Sequence, residues 1–439
     1  MIVGPQKTLQ MHCSVVCWLP CPCHLLQPGY PVIGGDYRPT ACCGTKRLIY
    51  NRLMPKGQAG IHPKLSPQAV TIMSNEKSTN MNRVTDPDDQ ALDMLVDQLR
   101  SRADALEFEG IEAWPAEQLA CCGNHGVYEW FLPTEHGGQG WANTDLAAGY
   151  LRLSSACLTT TFIITQRTGA CRRIANGDSD YCRDQWLPGL LTGELFTTVG
   201  ISHLTTSRRH LKKPVLRAEE TVDGFIVDGF SPWVTGAPFA DVVVIGATLE
   251  DERQILAAVP TDAAGISYGS SENMVALSAS RTGRLNCERV HIDRKWILTG
   301  PMEHVMGSAV GANTGGLQTS TLAVGLADAA ISFISQESRQ RADLEKIGVA
   351  LRADWDQTRQ RLMQFAAGDT TCDKDQLRMG CNDLVMRATQ AALAAAKGTG
   401  YLIGHPAGRW CREALFFLIW SCPQPVMAAH LCELAGISE

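Results

Sequence analysis

Residues 195–300 constrain the fold more than any other part of the chain. Short runs of Val, Ile, Thr and Phe, such as 225–227, 241–247, 254–259 and 289–292, are separated there by Gly, Asp and Pro. This is a pattern of strands and tight turns. On both sides the hydrophobic period becomes helical. Leu92, Leu95 and Leu99 recur at helical spacing, with acidic residues leading and Arg100 and Arg102 trailing, as a helix dipole favours. Further helices are predicted over 144–157, 160–175 and 181–192, the last interrupted by Pro188. After the sheet region the predicted helices are 316–335, 350–366, 376–396 and 409–420, with a short tail helix. A compact antiparallel sheet unit between two helical regions is neither a parallel-sheet nucleotide fold nor a barrel. No Gly-x-Gly-x-x-Gly follows a strand, which leaves a dinucleotide-binding βαβ unit without support.

The chain has 439 residues and a hydrophobic share of 45%, enough for a large core divided among two to four units. Its net charge of −6 offers no general attraction to nucleic acid or to an anionic membrane. No run of 18 apolar residues occurs, so no membrane span is expected; residues 414–419 with Trp420 read as a buried helix. Residues 1–72 differ from the rest. They hold nine prolines, six of the 17 cysteines (Cys13, Cys17, Cys21, Cys23, Cys42 and Cys43), and seven lysines or arginines against Asp36 alone. Pro20 and Pro22 break the apolar run that a signal peptide would need. The cysteine spacings form no clean pair of zinc knuckles, and no metal site is expected. Two readings remain for 1–72: a disordered Cys/Pro-rich extension, or a stretch preceding a true start at Met73. Cys157, Cys171, Cys411 and Cys422 sit among apolar neighbours and read as buried small hydrophobes.

Within the sheet region, residues 223–241 read as a hairpin followed by a buried strand. Trp233 and Thr235 are two apart, which places them on one face of an extended backbone. An indole and a hydroxyl projecting together could form a wall for a flat heterocycle. Here the chain resembles the acyl-CoA dehydrogenase family, whose middle-domain signature is similar to Asp223-Gly-Phe, Gly229, Trp233-Val-Thr235 and Ala240-Asp241. Leu132-Pro-Thr-Glu-His-Gly-Gly-Gln-Gly140 is similar to the family's glycine-rich turn, and residues 186–194 to its lead into the sheet domain. The resemblance spans about 88–425. It implies an α+β architecture: an N-terminal helical domain (73–194), a middle antiparallel β-domain (195–300) and a C-terminal four-helix bundle (301–439). It also implies FAD, an acyl-CoA substrate, an electron-acceptor protein, a homodimer or homotetramer and a cytoplasmic location. Nucleic acid and a membrane span are not expected.

The resemblance carries residues over unevenly. Ile201 and Ser202 stand where the family's chain meets the flavin ring, although His203 replaces a glutamate. Ser207, Arg208 and Arg209 replace Gly-Ser-Asp; the arginines would hold a pyrophosphate or form a solvated basic face. Trp233 and Thr235 would flank the ring. Arg339 is what remains of an Arg-x-x-Phe-Gly pattern that reaches a neighbouring subunit's cofactor. The family's catalytic carboxylate, in a Tyr-Glu-Gly-Thr segment, corresponds to Ser421, between Trp420 and Cys422. The other known location for that acid falls near Gly315 and Gly316, which offer none. His405 and Glu413 are substitute proton-transfer candidates; a turn or cap for His405 and an ion pair with Arg412 for Glu413 are the simpler accounts. Glu135 and His136 read as structural parts of the glycine-rich turn. The implied activity is α,β-desaturation of an acyl-CoA thioester with hydride transfer to flavin N5. The alternatives are a flavin-dependent monooxygenase of the same fold, and a non-catalytic binding or scaffold protein with a vestigial flavin cleft.

Overall fold

The structure, a computed structural model, describes residues 82–205, 214–308, 310, 317–369 and 371–437. The cysteines of 1–72, Ser207, Arg208, Arg209, Gly315 and Gly316 lie outside the described residues.

Five helices come first: α1 (Gln90–Glu109), α2 (Ala116–Asn124), α3 (Asn143–Ala156), α4 (Leu158–Asn176) and α5 (Asp180–Thr192). The α1 stripe of Leu92, Leu95 and Leu99 is fully buried. Arg100 and Arg102 do not end that helix. It runs on to Glu109 with no basic residue in its last turn, so the dipole argument fails and Arg102 pairs with Glu117 instead. Pro188 sits inside α5 without terminating it. The glycine-rich turn between α2 and α3 contains a single tight turn at Thr134–His136. A β-carbon on Gly138 would lie 2.0 Å from the Leu132 carbonyl oxygen, so the close approach there requires glycine.

Eight strands form one sheet: β1 (Thr197–Gly200), β2 (Leu216–Glu220), β3 (Gly224–Val234), β4 (Val242–Thr248), β5 (Gln254–Pro260), β6 (Ile266–Ser271), β7 (Gly283–Asp293) and β8 (Ile297–Met302). Their order is β6-β7-β3-β2-β4-β5-β8, with β1 paired to β4. The sheet is mixed rather than antiparallel. β1 runs parallel to β4, from Thr197 beside Val242 to Gly200 beside Ile245, and Arg217 of β2 meets Thr248 of β4 in parallel. Hydrophobic patterning locates strands but carries no sign for their direction, so parallel and antiparallel pairings look alike in the sequence. Gly229, at φ 122°, occupies a register shift between β3 and β7, and a β-carbon there would lie 2.2 Å from the Val215 carbonyl oxygen. β4 is buried along its whole length. Val242 and Val244 pack with Ala170 and Ile174 of α4 and Leu187 of α5, while Val243 and Ile245 join the opposite core.

A short helix, α6 (Ser202–Thr205), follows β1. The C-terminal region contains α7 (Leu317–Glu337), α8 (Glu345–Ala366), α9 (Lys374–Ala396), α10 (Pro406–Ala414), α11 (Phe416–Ile419) and α12 (Gln424–Ala435). α7 packs against α3, α8 and α9. It is long and apolar enough to cross a membrane by composition, yet about two thirds of it is buried among those helices. The single helix read over 409–420 is two, divided at Leu415, whose N–H donates to the Arg412 carbonyl at 3.2 Å.

Candidate functional site

A cleft of about 620 Å³ opens where α4, the sheet, the start of α7 and the α10–α11 segment meet. Its sheet wall is built at the end of β1. Ile201 and Ser202 leave that strand and both line the cleft. The Ser202 hydroxyl donates to the Pro232 carbonyl at 2.9 Å, tying α6 to the end of β3. Trp233 also lines the cleft, but by a route the alternation argument did not contain. Its φ is 54°, within a register shift between Ser231 and Val234. That left-handed residue turns the indole outward, 45% exposed, while Val234 and Thr235 are buried. Thr235 therefore does not share the indole's face. Its hydroxyl shares a hydrogen bond with Thr282 at 2.9 Å, and Thr282 with Ser280 at 2.8 Å. Of these three, Thr282 reaches the cleft.

The helical wall is aromatic. From α4 come Phe162, Thr165, Gln166, Gly169 and Arg173, and from α10–α11 come Arg412, Leu415, Phe416, Ile419 and Trp420. Phe162 meets Phe416 and Trp420 edge-on, with ring centroids 5.0 and 4.8 Å apart, and Phe416 stacks on Trp420 at 5.2 Å. Ser421, at φ 45°, follows on the cleft surface. Behind it, the buried Arg378 of α9 donates to the Phe417 and Trp420 carbonyls, each at 3.1 Å, and Asn382 donates to Phe417 at 3.2 Å. These bonds satisfy carbonyls at the end of α11 and fix the chain leading into Ser421.

The charge pattern is one-sided. Among the described lining residues the charged side chains are Arg173 and Arg412, and there is no Asp, Glu, His or Lys. Burial and the neighbouring Arg172 push Arg173 down to about 10. Glu413 does not line the cleft. It is 1% exposed, and both its oxygens accept from Arg409, at 3.1 and 3.0 Å. Arg409 also donates to Asp104 of α1 at 2.8 Å. The partner of Glu413 is thus Arg409, one helical turn away, rather than the adjacent Arg412, whose side chain points elsewhere on the helix and binds Glu107. Burial raises Glu413 to about 7 against the attraction of Arg409.

The other sequence candidates lie apart from the cleft. His405 caps α10, its Nδ1 accepting from the Ala407 N–H at 3.2 Å, and its ring meets Phe333 edge-on. Arg339 lies beyond α7 in a separate surface hollow with Arg352 and Ser335. His203 is buried and bonded through Nε2 to the Gly246 carbonyl at 2.8 Å; burial lowers its pKa. Burial pushes the Cys422 thiol up, with Arg378 opposing. Sequence reasoning missed Arg173 and Arg412 as cleft residues and the aromatic floor as a unit. The signal was present: 412, 415, 416, 419 and 420 follow the spacing of one helical face, as do 162, 165, 166, 169 and 173.

The model for the N-terminal domain of acyl-CoA dehydrogenases matches residues 88–194, which span α1 to α5. Cyclohex-1-ene-1-carbonyl-CoA dehydrogenase of Geobacter metallireducens is 21% identical over 379 residues, covering 78% of this chain and 96% of that protein. Among solved structures, FkbI, a protein for biosynthesis of a methoxymalonyl extender unit, aligns with TM-score 0.67 at 19% identity, covering 78% of this chain and 98% of its own. A glutaryl-CoA dehydrogenase from Mycobacterium smegmatis in complex with FADH2 aligns with TM-score 0.66 at 16% identity, over 80% and 96% of the two chains. Residues 88–194 thus match the N-terminal domain of acyl-CoA dehydrogenases, and the chain as a whole has the fold of these proteins. The helical–sheet–helical order is that of the family's three domains. The described walls of its cleft present guanidinium groups and hydroxyls but no carboxylate.

Proposed function

We propose that this protein is a flavin-dependent oxidoreductase, with FAD held at the sheet wall of the cleft by Ile201, Ser202 and Trp233. In this reading the phosphates fall to Ser207 and Arg208, and Arg339 serves a neighbouring subunit. The observation that carries it is the outward indole of Trp233 on a cleft that also offers Gln166, Thr282 and Gln318. An isoalloxazine has an apolar edge and an edge rich in carbonyl and ring-nitrogen acceptors, so an aromatic wall with hydroxyl and amide donors fits it. Bound flavin would supply a two-electron acceptor.

Desaturation of an acyl-CoA thioester needs a base within hydrogen-bond reach of the α-proton. Ser421, at the position that the resemblance gives to the family's glutamate, has a hydroxyl that cannot serve alone. Glu413 is enclosed by Arg409, and His405 is engaged as a cap. The carboxylate-free lining therefore favours oxidoreductase chemistry that requires no α-proton base from these walls, as in an oxygen-using flavoenzyme of this fold. It also favours the second reading, a non-catalytic protein that retains the cleft. The proposal includes a thioester or related acyl substrate, an electron acceptor, a homodimer or homotetramer and a cytoplasmic location.

Purified protein is expected to be yellow, with roughly one FAD per chain. A colourless protein that gains no flavin spectrum on adding FAD would rule the proposal out. Anaerobic bleaching by any of a panel of acyl-CoA thioesters would restore desaturation and overturn the base-free reading. A flavin that no acyl thioester bleaches, but that consumes oxygen once reduced, would separate the oxygen-using form from the non-catalytic one.

A further inference from the structure

The cleft has an electrostatic bias on its helical side. Arg412 of α10 lines the cleft together with Phe416 of α11 and Trp420 just beyond it. Its Nε and Nη2 donate to Glu107 Oε1 at 3.2 and 3.1 Å, and its Nη1 to the Gly408 carbonyl at 3.1 Å. Those bonds use three of the guanidinium's five N–H groups. Glu107 belongs to α1 and does not line the cleft, so the ion pair is an oriented dipole with its positive end on the cleft wall. Beside it Phe162, Phe416 and Trp420 pack on one another. In such apolar surroundings a charge-assisted hydrogen bond is stronger than in water. Arg173 brings a second guanidinium to the cleft lining from α4.

We propose that the substrate taken by this cleft is an organic anion. An aryl or branched apolar body would rest on Phe162, Phe416 and Trp420, and its carboxylate would be received by Arg412, the specificity-determining residue. The proposal rests on the cleft being the substrate site of the oxidoreductase described above, but its test does not require turnover.

Isothermal titration calorimetry of the full chain at pH 7 with 4-phenylbutyrate and its neutral isostere 4-phenylbutyramide supplies that test. The carboxylate is expected to bind at least tenfold more tightly than the amide. Arg412→Gln should bring the two within about twofold. Glu107→Gln should widen the preference, because it removes the anion that competes for Arg412; a purely structural role for the pair predicts no such gain. If Arg412→Gln proves unfolded by thermal melting, Glu107→Gln decides alone: a wider preference supports the proposal, an unchanged or narrower one overturns it. Equal affinity for the two probes, binding of neither, or a preference that survives in folded Arg412→Gln also overturns it. A colourless protein that keeps the carboxylate preference would remove the flavin reading and leave this one standing. A yellow protein without the preference would do the reverse.

Discussion

The two walls of the cleft are held by different physics. On the sheet wall, neutral groups do the fixing: Ser202 to the Pro232 carbonyl, and the chain of hydroxyls from Thr235 through Thr282 to Ser280. On the helical wall, ion pairs fix α10 to α1, Arg409 with Asp104 and Arg412 with Glu107, while Glu413 accepts from Arg409 within α10. Neutral hydrogen bonds contribute about 1 kcal/mol each and do not respond to pH. Buried ion pairs can be replaced at little cost, but they are expensive to half-remove and can titrate. One wall should therefore be robust, and the other conditional on charge.

The largest effect that could break this contrast is Arg409→Met. Loss of the buried cation leaves Asp104 and Glu413 without it, for an expected cost of roughly 3–5 kcal/mol in urea denaturation. The value should fall toward the lower end because Glu413 can take up a proton. A cost under about 1 kcal/mol would show that apolar packing, not charge, seats the helical wall.

Glu413 gives the next largest effect, and its sign follows from its raised pKa. Below about 4.5 the carboxyl is protonated in both folded and unfolded chains and makes no difference. As pH rises from there to about 7 the unfolded chain ionises first, so stability falls, and above about 7 the loss is complete. A shift of that size corresponds to roughly 3 kcal/mol. Urea denaturation at pH 5 and pH 8 should show this component in the native protein and not in Glu413→Gln. Equal pH dependence in the two proteins would place the titration elsewhere.

Trp233→Gly sharpens the comparison from the other side. Glycine accepts the positive φ without strain, so stability should change by no more than about 1 kcal/mol despite the lost indole. FAD binding, followed by flavin fluorescence quenching, should weaken at least tenfold. Unchanged FAD affinity would remove the indole from the cofactor wall. The smallest effect is expected for Thr235→Val, about 1 kcal/mol of stability with FAD affinity unaltered, since that hydroxyl faces Thr282 rather than the cleft. A large loss of FAD affinity would mean that the hydroxyl chain positions the sheet wall.

Much of the fold was legible because burial imposes a period on the sequence. The stripe of α1 and the long helices α7, α8 and α9 follow from apolar residues recurring at about 3.6 positions, and the strands at 242–248 and 254–260 from short continuous apolar runs between turn residues. The glycine-rich turn was legible for a different reason: only glycine permits the backbone approach at Gly138. The site was less legible. Strand alternation put Trp233 and Thr235 on one face, but the backbone turns through a positive φ at Trp233 and separates them. Proximity in sequence paired Glu413 with Arg412, whereas helical geometry gives it Arg409.

By itself the sequence determined the order helix, sheet, helix and the identity of the strand that presents an indole, because periodicity and glycine placement are local properties. The direction of β1 beside β4, the aromatic floor formed by Phe162, Phe416 and Trp420, and the arginine-lined, carboxylate-free character of the described cleft walls were decided only in three dimensions. Each joins residues from distant segments, and one-dimensional spacing carries no information about which faces of separate elements come to share the same cleft.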